Sequence, residues 1–351
     1  MADRPQGPER LAERTTLRVG GPARSWVTAT TEAALVEAVS AADGRGEPVL
    51  VLGGGSNLVV ADEGFDGTVV EVATRGVTAT PDGDDPTCGG AVVTVAAGEH
   101  WDSFVAQAVE RGWVGLEALS GIPGLVGATP IQNVGAYGQD VSQTIASVRV
   151  WDRMLRGVRT FANADCRFGY RTSRFKVDPG RHVVLDVTFQ LRQGDLGAPV
   201  AYAELARTLG VETGARVPLA DVRAAVLGLR RGKGMVLDPD DHDTWSAGSF
   251  FTNPVVEPDA VPDGAPTYPA DGGVKVSAAW LIEQAGFGKG YGAELTGGRA
   301  SLSTKHTLAL TNRGGASAED LLTVAREVRD GVERRFGIRL VNEPVLVGCS
   351  L

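Results

Sequence analysis

The stretch from Ser120 to Asp140 reads Ser120-Gly-Ile-Pro-Gly-Leu-Val-Gly-Ala-Thr-Pro-Ile-Gln-Asn-Val-Gly-Ala-Tyr-Gly-Gln-Asp140. Five glycines, at 121, 124, 127, 135 and 138, punctuate it. Glycine is used where backbone takes positive φ or lies close against a neighbour. A surface linker of this glycine content would carry polar filler. Here the filler is Ile122, Leu125, Val126, Ile131 and Val134, so the stretch is expected to be packed inside the protein while remaining irregular. Buried irregular backbone must find hydrogen-bond partners, and a bound cofactor would supply them.

At 351 residues the chain exceeds one ordinary core and implies two or three domains. A net charge of −9 argues against nucleic acid as a general partner, and no basic stretch stands out to offset it. Arg230-Arg231-Gly-Lys233 is the densest basic spot, suited to a phosphate rather than a nucleic-acid groove. No apolar run reaches the roughly 18 to 20 residues of a membrane span, and the polar Met1–Arg14 segment, expected to be a loose tail, does not read as a signal peptide. Cys88, Cys166 and Cys349 are scattered and odd in number, which fits a reducing cytoplasm. The four histidines show no metal spacing, and no metal is expected.

Along the chain, Thr31–Asp43 and Trp101–Arg111 read as amphipathic helices, and Gly112 is expected to end the second. Strands are expected at Pro48–Leu52, Thr68–Val72, Val92–Ala96, Ile145–Trp151 and Val183–Leu191. The Gly53-Gly-Gly-Ser-Asn57 turn follows a strand, but the next segment, Leu58-Val-Val, is again strand-like. The helix that a dinucleotide-binding turn requires is missing. The turn is left as either a tight connection or an anion-binding nest. Beyond Gly194 the character changes: helices at Tyr202–Leu209, Ala220–Arg231 and Val276–Ala285, a strand with a turn at Ser249–Pro254, and a Pro/Gly/Asp-rich loop over Pro258–Gly273. A strand at Thr307–Thr311 precedes a helix opened by a Ser317…Asp320 capping box. A last strand spans Ile338–Val347. The fold class is α+β, with a domain boundary expected near Gly194.

Spacing alone yields no nucleophile–base triad, no phosphate-binding loop with lysine and no carboxylate pair. Three polar spots stand among apolar or small neighbours: Tyr170-Arg171, Ser249 and Glu343. Each has an ordinary reading, as a salt-bridged arginine, a turn serine and an exposed strand glutamate.

Five motifs occur in order: Gly53-Gly-Gly-Ser-Asn57; Gly121-Ile-Pro-Gly-Leu-Val-Gly127 with Gln132-Asn-Val-Gly-Ala-Tyr-Gly138; Phe168-Gly-Tyr-Arg-Thr-Ser173; Gly248-Ser-Phe-Phe-Thr-Asn-Pro254; and Ala278-Ala-Trp-Leu-Ile-Glu-Gln-Ala-Gly286. Together they resemble the bacterial UDP-N-acetylenolpyruvoylglucosamine reductases, over nearly everything from Thr15 to Gly348. The resemblance implies a two-lobed, vanillyl-alcohol-oxidase-like (PCMH-type) FAD-binding domain over 15–194, its subdomains splitting near 72. A C-terminal α+β substrate domain would follow over 195–351, with the strand at 338–347 contributing to the active site. It implies reduction of the enolpyruvyl ether of UDP-N-acetylglucosamine, with NADPH as hydride donor, in peptidoglycan precursor synthesis.

By the same resemblance, Arg171 and Glu343 hold the carboxylate end of the enolpyruvyl group and Ser249 donates the proton. FAD would be held non-covalently by Gly53, Gly54, Gly55, Ser56 and Asn57, and by Ser120, Gly121, Ile122, Pro123, Gly124, Gly127, Ala128, Asn133, Gly135, Ala136 and Tyr137. Ala128 stands where the family commonly has serine. Tyr170, Lys233, Asn253 and Gln284 are the expected substrate contacts. Tyr202 resembles the tyrosine that one form of the family carries on a closing loop, or is a helix-face core residue. A cytoplasmic monomer with no nucleic-acid or membrane partner is expected. The alternatives are another FAD-dependent oxidase or dehydrogenase of the same fold, and a silent nucleotide-sugar-binding protein.

Overall fold

The structure is a computed structural model and describes residues 9–81 and 90–351; Cys88 lies outside them. The chain divides into two compact units that alternate along the sequence. A central unit takes 24–54 and 66–231, and a terminal unit takes 1–23, 55–65 and 232–351.

The central unit holds two sheets. In the first, Phe65–Val72 lies between Ala23–Ala29 and Val49–Leu52, and Val49–Leu52 runs parallel to Thr68–Glu71. Helix α1 (Glu32–Gly44) starts where the Thr31 hydroxyl accepts the Ala34 N–H at 3.1 Å, and it buries Leu35 and Val39. The second sheet orders Gly157–Ala162, Ile145–Asp152, His182–Gln193, Gly90–Ala96 and Val77–Pro81, all antiparallel. In its central strand Val187 faces Val148 on one side and Val95 on the other. Helix α2 (Trp101–Glu110) lays Trp101, Phe104, Val105 and Ala108 onto this core, with the Phe104 and Phe189 rings 5.2 Å apart. Gly112 follows with φ +70°, the left-handed residue that stops the helix.

A short helix α3 (Arg174–Val177), then α4 (Ala203–Leu209) and α5 (Leu219–Gly232), complete the unit. Leu205, Ala206, Val222 and Val226 form a small core with Ala118 and Val200. That burial ties 195–231 to the glycine-rich stretch, so the expected break at Gly194 falls inside the central unit.

The terminal unit packs α6 (Ala278–Gln284) and α7 (Ala318–Phe336) with Phe250, Phe251, Leu302 and Leu310. Ser317 and Asp320 form the reciprocal capping box read from the sequence. Its strands are short. Leu58–Val60 pairs in parallel with Val345–Val347, and Ala300–Leu302 pairs with Leu310–Asn312.

Several expectations need correction. Ile131 is 37% exposed rather than packed. Ser249–Pro254 is not a strand: Ser249 and Phe251 make isolated bridges to Ala309 and Asn342. The strand expected over 338–347 covers only Val345–Val347, because 338–344 spends its backbone bonds on the Phe250 segment. Helix α6 begins at Ala278, since Val276 ends the strand Gly273–Val276, which forms a hairpin with Thr267–Ala270 where loop was expected. The strand expected at Thr307–Thr311 is Leu310–Asn312. Within the expected loose tail, Leu11 is fully buried in a short 3-10 turn. No helix among the described residues is long and apolar enough to cross a membrane.

Candidate active site

The glycine-rich stretch is irregular as expected, holding only 3-10 turns and a two-residue ladder between 117 and 140. Its backbone is fixed from outside. Trp101 N–H donates to the Gly124 carbonyl at 3.0 Å, and Gly127 N–H to the Ala97 carbonyl at 2.9 Å. Trp101 Nε1 donates to the Leu119 carbonyl at 3.0 Å. Asp102 accepts the Gly121 N–H at 2.6 Å while Arg223 grips both its oxygens at 2.6 and 2.9 Å. Gly121 has φ +73° and Gly124 φ +120°. The two glycine motifs meet at Gly54, where a Cβ would stand 2.7 Å from the Gly124 Cα.

Among the described residues, the N–H groups of Gly53, Gly54, Ile122 and Gly124 reach no acceptor. Unspent donors on irregular backbone, three of the four on glycine, are a fitting cradle for a phosphate or a flavin ring edge. This chemistry suits an acidic chain, since neutral N–H groups bind anions without net positive charge. It is the structural reason to regard these residues as a fit for FAD. Ser120 is fully buried, and its hydroxyl already donates to the Glu117 carbonyl at 2.7 Å.

Arg171 is laced into the same stretch. Its guanidinium donates to the Gly135 carbonyl at 2.7 Å and the Asn133 carbonyl at 3.4 Å. Asn133 Nδ2 donates in return to the Gly169 carbonyl at 3.1 Å, and the Ser173 hydroxyl to the Ile131 carbonyl at 2.5 Å. Asn133, Tyr137 and Arg171 all take left-handed backbone, at φ +47°, +51° and +52°. Three side-chain-bearing residues at such angles in one site indicate strain held by the surroundings. Tyr170, 46% exposed, has its ring 5.8 Å from the Arg171 guanidinium.

Tyr202 lies just before α4, exposed, with its ring edge-on to Tyr137 at 5.7 Å. It is therefore not a helix-face core residue. Burial pushes Tyr137 up to about 12 and draws Arg230 down to about 10, each feeling the other's field. Arg230 also feels Asp102 and Arg171. The sequence reading marked Arg230 only as part of a basic spot and passed over Asp102 and Arg223. The available signal was the spacing: Arg223 and Arg230 are seven apart and share one face of α5.

In the terminal unit, Ser249 and Glu343 come together through backbone. Phe250 N–H donates to the Leu308 carbonyl at 2.7 Å, and its carbonyl accepts the Glu343 N–H at 2.8 Å. Phe250 and Phe251 are almost fully buried and anchor the half-buried Ser249. Asn57, in the first glycine motif, donates from Nδ2 to the Glu343 carbonyl at 3.3 Å and accepts the Val345 N–H at 2.9 Å. Asn253 Oδ1 is spent on the Ala278 N–H at 2.9 Å at the start of α6, which leaves its Nδ2 for a ligand. Gln284 ends α6 on the surface, and Lys233 follows α5. Among the described residues no group of three His, Cys, Asp or Glu side chains could hold a metal.

The comparisons with known proteins cover both units. A family model for the C-terminal domain of UDP-N-acetylenolpyruvoylglucosamine reductase matches residues 238–347, and an FAD-binding domain model matches 23–155. The UDP-N-acetylenolpyruvoylglucosamine reductase of Cutibacterium acnes is 61% identical over 342 residues, covering 97% of this chain and 90% of its own. That of Streptomyces avermitilis is 57% identical, covering 97% and 94%. The crystal structure of the corresponding Thermus caldophilus reductase matches with a TM-score of 0.65 at 26% identity, over 97% of both chains. The C-terminal match removes a general alcohol oxidase from consideration. With both halves matched along one chain, and glycine donors left open where the cofactor domain is recognised, the chain belongs to the UDP-N-acetylenolpyruvoylglucosamine reductase family.

Proposed function

We propose that this chain reduces the enolpyruvyl ether of UDP-N-acetylglucosamine to UDP-N-acetylmuramate, with FAD as bound cofactor and NADPH as hydride donor. The observation that carries the reading is the 61% identity spanning 97% of the chain, which includes the half that a general flavin oxidase lacks. Gly53–Asn57 and Ser120–Tyr137 would hold the FAD, and when bound it supplies two-electron hydride chemistry. With no histidine or cysteine in either motif, attachment is non-covalent.

The chain's own residues deal with the charge and the proton. Hydride addition to the terminal carbon of the substrate leaves negative charge on the carbon beside the carboxylate, and that charge spreads into an enolate-like dianion. Arg171 supplies the fixed positive charge such a centre needs. Its guanidinium is already oriented by the Gly135 and Asn133 carbonyls, so little reorganisation is required. Glu343 takes the same end in a protonated or proton-sharing form, because a second full negative charge there would oppose the reaction. Ser249 donates the proton: a hydroxyl is a weak acid, but a carbanion-like centre is a strong base. Tyr170, Lys233, Asn253 and Gln284 contact the nucleotide sugar, and Tyr202 closes over it. NADPH and nucleotide sugars are intracellular pools, which supports a cytoplasmic location.

The test is rapid mixing of Ser249→Ala under anaerobic conditions. NADPH should bleach the flavin at the normal rate, and reoxidation by the enolpyruvyl substrate should slow by about 10²- to 10⁴-fold, the usual contribution of a positioned acid. Failure at the bleaching step instead would remove Ser249 from its role.

A further inference from the structure

In an acidic chain, residues 149–181 carry nine cationic side chains against three acidic ones, a basic stretch that composition alone concealed. Several are committed: Arg149 to Glu32 and Asp186, Arg153 to Asp43, and Arg181 to Asp152 and Asp178. Among the described residues Arg159, Arg167 and Arg174 take part in no ion pair. All three line one cavity of about 450 Å³ in the central unit.

The walls of that cavity have two characters. The basic character is made by these arginines with Arg181. The cavity's acids cannot neutralise them: Asp152 already accepts from Arg181 and from the Met154 and Leu155 N–H groups, and Asp178 is held by Arg181. Apolar groups are interleaved with the arginines. Phe161 carries the Arg174 guanidinium 4.6 Å above its ring, while Leu155 and Val177 stand 57% and 78% exposed. His182 also belongs to the lining, with its side chain 4% exposed.

We propose that this cavity is a second binding site, taking a nucleoside diphosphate. The diphosphate lies among Arg159, Arg167 and Arg174, whose planar forks match phosphate oxygens in pairs. The base and sugar lie on Leu155 and Val177, the Phe161 ring being covered by Arg174. The volume is that of a small-ligand pocket. Thr172 and Ser173 belong to its wall, and they directly follow Arg171 in the chain. Ser173 is also bonded to the Ile131 carbonyl in the glycine-rich stretch. An occupant therefore sits against the reverse of the loop that presents Arg171. The site does not depend on the reaction proposed above, so either can fail without the other.

The test is calorimetric titration of the FAD-loaded chain with ADP and, separately, with inorganic pyrophosphate. The enolpyruvyl nucleotide sugar and NADPH are both left out, since each carries a diphosphate that would compete for the proposed site, and binding is assigned to the cavity by the variants. The wild type should bind one ADP with a submillimolar Kd and pyrophosphate more weakly. The charge reversal Arg159→Glu with Arg167→Glu touches two exposed side chains outside the catalytic set. It should weaken both ligands by about tenfold or more with an unchanged thermal midpoint. Leu155→Asp should weaken ADP alone. The proposal is overturned by absence of ADP binding at millimolar concentration, by pyrophosphate binding without ADP binding, or by equal ADP affinity in the double variant.

Discussion

Glu117 is the buried acid on which the entry to the glycine-rich stretch depends, and Glu117→Gln is a quantitative test of that dependence. The residue is 1% exposed. Its Oε2 accepts the Gly115 N–H at 2.7 Å, and its Oε1 accepts the Ala198 N–H at 2.6 Å and Gln139 Nε2 at 2.9 Å. Gln139 closes the circuit by accepting the Ala118 N–H at 2.8 Å. All three groups facing Glu117 are donors. A glutamine there must turn its NH₂ toward at least one of them, leaving a buried N–H without an acceptor at about 1–3 kcal/mol. The two bonds that survive lose their charge assistance, about 1 kcal/mol each. Relief from burying a charge offsets part of this, so the net loss is about 2–3 kcal/mol. For a unit of this size, each kcal/mol moves the midpoint by about 2–4 °C, so the expected fall is about 5–10 °C.

Thermal unfolding followed by flavin fluorescence on the FAD-loaded protein measures it, with the exposed Glu110→Gln as control. Glu117→Ala should fall further, since all three donors are then orphaned. A Glu117→Gln midpoint within about 1 °C of the control would refute the reasoning: it would mean that water or a local shift satisfies those donors, and that this acid does not organise the stretch.

Three further outcomes are expected. Gly54→Ala should abolish FAD retention, because the new Cβ would stand 2.7 Å from the Gly124 Cα and neither side is a flexible side chain; absorbance at the flavin band after gel filtration reads it. The Arg299 guanidinium and the Ser317 backbone and hydroxyl hold Asp320 down to about 2, so its contribution to stability is complete above pH 4 and lost as pH falls toward 2. Asp320→Asn should flatten the acid limb of the stability–pH curve there. Glu343→Gln should remove one limb of the pH–rate profile of flavin reoxidation, and an unchanged profile would show that Glu343 does not share a proton in the reaction.

What could be read from the sequence follows from how local each determinant is. The capping box at Ser317 and Asp320 was legible because its partners lie three residues apart, and α2 because its apolar face repeats every turn. The glycine-rich stretch was legible as buried and irregular because apolar filler between glycines leaves little else. Ser249–Pro254 was misread as a strand with a turn because its backbone partners, Leu308, Ala309, Val341 and Asn342, come from two remote segments, and no periodicity reports a pairing made one residue at a time. Ile131 was misread because its peptide carbonyl, not its side chain, is what the fold uses: the Ser173 hydroxyl holds it at 2.5 Å. The break at Gly194 was misplaced because a composition change marks where the chain alters character, whereas the small core of Ala118, Val200, Leu205 and Val226 decides where packing ends.

The same distinction explains how a chain of net charge −9 can bind anions. Net charge governs solubility and distant steering, but an anion at contact meets only the donors within a Debye length of about 10 Å. At the glycine-rich stretch those donors are N–H groups of Gly53, Gly54, Ile122 and Gly124, neutral and therefore invisible to any charge count. At Arg171 the donor is charged, and its guanidinium is held by the Gly135 and Asn133 carbonyls. Carbonyl anchors orient the guanidinium, so Arg171→Lys, which keeps the charge and gives up the planar fork, separates orientation from charge at this position. Slowed flavin reoxidation in that variant with unchanged flavin reduction would assign the loss to orientation; a normal reoxidation rate would show that charge alone suffices.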